Sequence, residues 1–304
     1  MPLSRRALLS TATATALTAA TAAVPAAASA AVPGRRTHAA TAVRHIPLQG
    51  AVNVRDLGGY PTYGGDRVRR GLVYRADGLN RLTDADVTTL AGLRLGTVVD
   101  FRIPVEVQYD GADRLPAGVA LVSRPVTDNG LYTQLRTVIG SRDPVRQEEM
   151  LGNGKAAAFM REVYRSFVTS PGNRAQFGAT LRDIARPGAA PLMYHCTAGK
   201  DRTGWTSYLL LTVVGVPEWE AVADFLASNT FRAAYDAKLR ESLKQAGLMQ
   251  NPDLLIPLQE VRKEYLETAL AEVKSGYGGL HRYLTTGLGL DLGTLAALHA
   301  RLVD

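Results

Sequence analysis

The chain has 304 residues, 46% of them hydrophobic, with 35 Lys and Arg against 28 Asp and Glu, a net charge of +7 and one cysteine. Such a length holds one large domain with a substantial core. A mild basic excess without a clustered stripe does not mark a nucleic-acid binder, no segment beyond the N-terminus is long and apolar enough to span a membrane, and one cysteine rules out a disulfide within the chain.

The elements follow in chain order. The N-terminus places Arg5 and Arg6 before an uncharged stretch rich in Ala and Thr that ends in Ala28-Ser29-Ala30. A basic start, an apolar middle and a small-residue cleavage site are the layout of a secretory signal, and the paired arginines suggest the twin-arginine route. The expectation is an exported protein: a signal peptide over residues 1–30, a flexible leader over 31–44 and a single catalytic domain over 45–304. Residues 46–65 mix short apolar alternation with Gly pairs and read as strands and turns. A short strand is expected in 68–77. Thr83 caps a helix reaching Leu93, with Asp86 in place of the usual Glu of a capping box. "LGTVVDFR" (95–102) is a buried strand closing at Asp100 and Arg102, and "VALVSRPV" (119–126) is expected to be a second such strand.

Residues 131–170 hold helical stretches such as 155–168, joined by Gly-rich and charged pieces, and read as a helical insert or flap. A helix over 173–185 stops at Pro187-Gly188. "PLMYHC" (191–196) is the next buried strand, and 203–215 is a mostly apolar helix. The remainder is helical: 217–228, 231–246, 257–274 and a short helix from Leu292. Strands alternating with helices predict an α/β fold, a mainly parallel central sheet covered on both faces by helices.

The single cysteine, Cys196, ends a buried strand and is followed by "TAGKDR" before the next helix. A short loop at a helix N-terminus gathers backbone N–H groups and partial positive charge, which suits a phosphate. The same field favours thiolate over thiol, making Cys196 a candidate nucleophile. Arg202 offers a planar fork to two phosphate oxygens. The loop residues Thr197, Ala198, Gly199, Lys200 and Asp201 complete the candidate phosphate site. Gly199 lets the backbone turn without a side chain, and Thr203 is placed to offer its hydroxyl to the sulfur. His195 has two readings, a ring that fixes the loop or a satisfied structural histidine. Lys200 likewise either faces the pocket or points into solvent.

"HCTAGKDRTG" resembles the His-Cys-x5-Arg-Ser/Thr signature of the cysteine-based protein tyrosine phosphatase superfamily, at His195, Cys196, Arg202 and Thr203. Its Ala-Gly-Lys-Asp form is most similar to a bacterial branch of tyrosine and phosphoinositide phosphatases. "NVRDLGGY" (53–60), "VYRAD" (73–77), "VVDFRIPVEV" (98–107) and the stretch 265–290 resemble further blocks of that branch, so the likeness covers most of 46–303. The resemblance implies a tyrosine phosphatase-like fold and a cysteinyl-phosphate mechanism that needs no metal and no cofactor. A carboxylic acid must protonate the leaving oxygen and then activate water. Asp201, inside the loop, is the favoured acid, and Asp128, in "RPVTDNG" after a strand, is the alternative. Asp56, Asp100 and Arg102 read as structural ion pairs.

Other classes fit less well. A nucleotide-binding loop fails because Asp201 stands where Ser or Thr should follow Lys, and Tyr194 where the first Gly should be. Sulfurtransferases and arsenate reductases do not require Thr203. A phosphate-binding or redox-sensing protein using Cys196 is the non-enzymatic alternative. Expected partners are a phosphorylated protein, a phosphoinositide or a soluble inositol phosphate.

Overall fold

Three apolar runs form the middle of the sheet, because β-branched and aromatic side chains pack well on a pleated surface. The computed structural model describes Thr41 and residues 43–304, so the expected signal peptide and nearly all of the leader lie outside the described residues. Strands β1 (Arg44–His45) and β2 (Arg55–Asp56) precede β3 (Val73–Ala76), α1 (Asp84–Gly92), β4 (Thr97–Asp100), α2 (Pro104–Asp110) and β5 (Ala120–Ser123). Helices α3 (Leu131–Gly140), α4 (Pro144–Leu151), α5 (Lys155–Thr169) and α6 (Pro171–Ala185) lead to β6 (Leu192–His195) and α7 (Arg202–Val213). Then come α8 (Glu218–Gln245), a 3-10 turn (Pro252–Leu255) running into α9 (Ile256–Gln259), and α10 (Lys263–Tyr277). The chain closes with α11 (Leu280–Arg282), a π turn (Tyr283–Gly287) and α12 (Leu292–Leu302).

The sheet order is β1-β2-β3-β6-β4-β5. The four strands β3, β6, β4 and β5 are parallel, while β1 and β2 run antiparallel at one edge. Alternation along the strands separates two cores. Val73, Val99, Leu192 and Tyr194 face the large core built with Phe167, Phe177, Trp205 and Phe225 of the helices. Tyr74, Val98 and Met193 face a smaller core with Leu79, Leu82 and Leu90. The register aligns Ala76, His195 and Asp100. Asp77, Cys196 and Phe101 therefore leave the sheet side by side at its carboxyl end, where open α/β sheets place their ligands.

The capping box is formed as expected: Thr83 Oγ1 accepts from the Asp86 N–H, and Asp86 reaches back to the Thr83 N–H. Several elements differ from their sequence expectation. Strand β5 is the outer edge and largely exposed rather than buried. The helices expected over 217–228 and 231–246 are one helix, α8. Ser228 and Asn229 do not break it, because their side chains are engaged elsewhere: Ser228 Oγ accepts from Arg55 and Arg75, and Asn229 bonds the backbone of Val261. That pairing also pins the chain between α9 and α10, interrupting the helix expected over 257–274. Within 131–170, α3 and α4 are peripheral, whereas α5 sinks Tyr164 and Phe167 into the core.

Candidate active site

The loop from Cys196 to Asp201 joins β6, all four residues of which are buried, to α7, whose first residue is Arg202. Gly199 makes the turn possible: its φ is +63°, and a Cβ there would lie 2.3 Å from the carbonyl oxygen of Ala76. Cys196 is 1% exposed. It lines a pocket of about 150 Å³ with Arg202, Asp201, Lys200, Asp128 and Glu106. A larger cavity of about 330 Å³ lies alongside and shares Thr197, Ala198 and Lys200.

Burial by itself pushes the Cys196 thiol up, but the Arg202 charge and a hydrogen bond from Thr203 outweigh it and hold the thiol below its ordinary value. The Thr203 hydroxyl is buried beside Cys196 and makes no other hydrogen bond among the described residues. Arg202 is held by an acid that the sequence did not single out. Its Nη1 and Nη2 each donate to a carboxylate oxygen of Glu106 at 2.6 Å. Glu106 Oε1 also accepts from the Thr197 hydroxyl at 2.5 Å. Burial pushes the Glu106 carboxyl up, but the Arg202 guanidinium brings it below the usual range. Glu106 is fixed because Pro104 opens α2 and the carboxylate, two residues on, accepts the Ile103 N–H at 2.8 Å. Pro followed two residues later by Glu is a helix-start pattern that lay unread within 98–107.

Both acid candidates reach the pocket. Asp201 Oδ1 accepts from the Tyr164 hydroxyl at 2.9 Å, and Lys200 Nζ donates to Asp201 at 2.9 Å and to the Glu260 carbonyl at 3.3 Å. Lys200 is thus 3% exposed and tied down, not a lysine pointing into solvent. Asp128 Oδ1 and Oδ2 accept from the N–H groups of Gly130 and Tyr132, capping α3. Tyr164, on α5, is a partner that sequence reading missed; its helix was legible but not the side of the sheet it serves.

His195 combines its two readings. It is fully buried, its Nε2 lies 2.9 Å from Asp113 Oδ2, and its Nδ1 lies 3.3 Å from the Cys196 carbonyl. Burial lowers its pKa, yet the Asp113 hydrogen bond and the charges of Asp113 and Asp100 raise it above the ordinary value. Asp100, Asp113 and His195 come close enough to resemble a metal-ligand group. The Arg102 guanidinium instead donates to both carboxylates, at 2.8 Å each, and supplies the cation. The expected ion-pair roles of Asp100 and Arg102 hold, and Asp56 pairs with Arg44 at 2.7 Å.

The profile of the tyrosine phosphatase family matches residues 46–304. A Cupriavidus necator protein named "Putative tyrosine-protein phosphatase" is 34% identical over 80% of this chain and 84% of its own. The triple specificity protein phosphatase PtpB of Mycobacterium tuberculosis is 30% identical over 80% of this chain and 93% of its own. The solved structure of TpbA from P. aeruginosa aligns at 15% identity over 67% of this chain and 95% of that one, with a TM-score of 0.29. With that profile covering nearly all of the described chain, and relatives of this identity and coverage, the chain belongs to the tyrosine phosphatase family and is a phosphoric monoester hydrolase.

Proposed function

We propose that this protein is a metal-independent protein tyrosine phosphatase acting through a cysteinyl-phosphate on Cys196. The observation that carries the reading is Cys196 at the base of one pocket with Arg202, its thiol held low, and both acid candidates in the same wall. In this mechanism the Cys196 thiolate attacks phosphorus, and the P–S bond forms as the bond to the leaving oxygen breaks. Loop N–H groups and Arg202 hold the non-bridging oxygens. Glu106 keeps the guanidinium oriented. Asp201 donates its proton to the leaving oxygen, then takes one from the water that attacks phosphorus and releases the thiolate. Asp201 is favoured over Asp128 because it stands in the loop itself, next to Arg202, and its hydrogen bonds are to side chains rather than to backbone. Asp128 is committed to the backbone N–H groups of Gly130 and Tyr132 at the start of α3.

A second reading, dual specificity or activity on phosphoinositides, is favoured by one feature. Lys200 lines both the Cys196 pocket and the larger cavity, which also carries Arg81 and Arg232. The relative named a triple specificity protein phosphatase supports a broad substrate range. Export remains part of the proposal and rests on Arg5, Arg6 and Ala28-Ser29-Ala30.

The test is phosphate release, with EDTA present, from a phosphotyrosine peptide, a phosphoserine peptide, phosphoinositide vesicles and a soluble inositol phosphate. Turnover of the phosphotyrosine peptide that is insensitive to EDTA is expected. Turnover of none of the four would overturn the reading, and turnover of the inositol phosphate alone would replace it.

A further inference from the structure

The sequence blocks 53–60 and 73–77 carry buried polar residues that the reaction scheme does not use. Asn53, Arg55 and Arg75 are each 0% exposed. Burying such groups is costly unless they are hydrogen-bonded or paired, so where their bonds go is informative. Their hydrogen bonds converge on the back of the Cys196–Asp201 loop. The Gly78 N–H donates to the Thr197 carbonyl at 3.1 Å. Asn53 Nδ2 donates to the carbonyls of Ala198, at 3.1 Å, and Gly199, at 3.0 Å. Arg75 Nη2 adds a bond of 2.8 Å to the Gly199 carbonyl, and Arg232 Nη1 one of 3.3 Å to that of Ala198.

Three successive peptide units therefore have their carbonyls captured from behind. In a trans peptide the carbonyl and the following N–H point in opposite directions. Holding the oxygens of Thr197, Ala198 and Gly199 away from the pocket turns the N–H groups of Ala198, Gly199 and Lys200 toward it. Among the described residues none of these three N–H groups makes a backbone hydrogen bond. Such a concave set of N–H groups is an anion nest, and here the bonds behind the loop hold its shape.

Asn53 is itself held in place. Its Oδ1 accepts from Arg55 Nη1 at 2.5 Å, and Arg55 and Arg75 both pair with Asp224 of α8, at 2.8 and 2.6 Å. The Asp224 carboxyl is brought down to about 2: burial pushes it up, and the two arginines prevail. A rigid charged frame thus fixes the Asn53 amide, and the amide fixes the loop. Neutral Asn suits this place because its NH2 group supplies two donors.

We infer that Asn53, assisted by Arg75 and Arg232, is a positioning residue of the phosphatase reaction, orienting the peptide units whose N–H groups stabilise the phosphoryl transition state. The inference rests on the proposal that this loop binds the reacting phosphate. Preorganised donors cost no reorganisation during the reaction, and losing one such donor costs roughly 10²–10³ in kcat.

The test compares Asn53→Asp, Arg232→Ala and Arg232→Lys with the parent. Asn53→Asp keeps the shape and the acceptor for Arg55 but loses the donors. Arg232 lies outside the Arg55–Asp224–Arg75 group, so its variants carry the test if Asn53→Asp does not fold. The readouts are kcat and KM on p-nitrophenyl phosphate and the inhibition constant of vanadate, which mimics five-coordinate phosphorus. The kcat is normalised to the fraction of Cys196 that iodoacetamide titrates, because a merely structural role changes that fraction and not the rate per titrated site. Asn53→Asp should lower kcat per site by roughly 10²-fold and weaken vanadate by a similar factor. Arg232→Ala should show the same pattern at smaller size, and Arg232→Lys, which keeps a donor, should recover part of it. Variants with parental kcat per site and parental vanadate constants would overturn the inference and leave the phosphatase reading intact. A parent that neither turns over nor binds vanadate would overturn both.

Discussion

Cys196 is buried, and burial opposes a thiolate, so the charge it needs must come from named neighbours. Arg202 and Thr203 supply it. Cys196→Ser replaces the thiol with a hydroxyl that is not ionised near neutral pH. It should abolish turnover by roughly 10³-fold or more while phosphate binding, measured by calorimetry, persists. Arg202→Lys keeps the charge but loses the fork that Glu106 aligns, and kcat should fall by roughly 10²–10³. Glu106→Gln tests the alignment itself: Arg202 stays charged but is held by a neutral amide, so kcat should drop while KM changes less. Equal and small effects of both variants would place Arg202 outside the reaction. Cys196 and Arg202 were legible because their spacing is local. Glu106 was not, since its bond to Arg202 spans 96 residues of chain and only the fold brings α2 under the loop.

Two junctions between elements carry charges with separable consequences. Asp128 caps α3, and Asp201 precedes α7. Asp128→Asn keeps one acceptor and turns an NH2 toward the other N–H, so it should cost about 1 kcal/mol of stability in denaturant unfolding and leave the shape of the pH–rate profile intact. Asp201→Asn should flatten one limb of that profile and slow poor leaving groups most; the reverse pattern would make Asp128 the acid. The end of β6 titrates differently. The His195 pKa in the folded chain lies above its ordinary 6.5, so its pairing with Asp113 stabilises the protein fully below about pH 6.5 and fades as pH rises through the folded value. Asp113 is lowered, burial being outweighed by His195 and Arg102, so its share holds above its ordinary 3.8 and is lost as pH falls through the folded value. The Tm difference between parent and His195→Gln should therefore be largest between about pH 5 and 6.5 and shrink toward pH 9. A difference that stays constant over that range would mean that His195 is not ionised in the pair. Element identity was largely legible, as with the Thr83 cap and the strand into Cys196, because caps and apolar runs are local signals. The continuity of α8 was not, because what keeps Ser228 and Asn229 helical are partners on other elements.

Across the whole molecule, a parallel sheet brings the ends of β3, β6 and β4 level, and everything proposed for the reaction hangs from that edge. The fold class and the nucleophile's place at the carboxyl end of the sheet followed from alternating strands and helices and from one loop. The buried frame of Asn53, Arg75 and Asp224 did not, since each of its members reads on its own as an ordinary charge or turn residue. The shared wall of the two cavities bears on substrate choice. Lys200→Ala should reduce kcat/KM on a multiply phosphorylated substrate more than on p-nitrophenyl phosphate, with the gap narrowing as salt rises. Equal losses would leave tyrosine phosphatase as the sole reading. The central claim is that the phosphoryl group passes through Cys196. Its most direct measurement is mass spectrometry of Asp201→Asn protein, acid-quenched during turnover of a phosphotyrosine peptide. The account predicts one added phosphoryl group on the proteolytic peptide containing Cys196, absent from the Cys196→Ser protein treated alike. Turnover with no phosphoryl group on Cys196, or with one on a different residue, would contradict it.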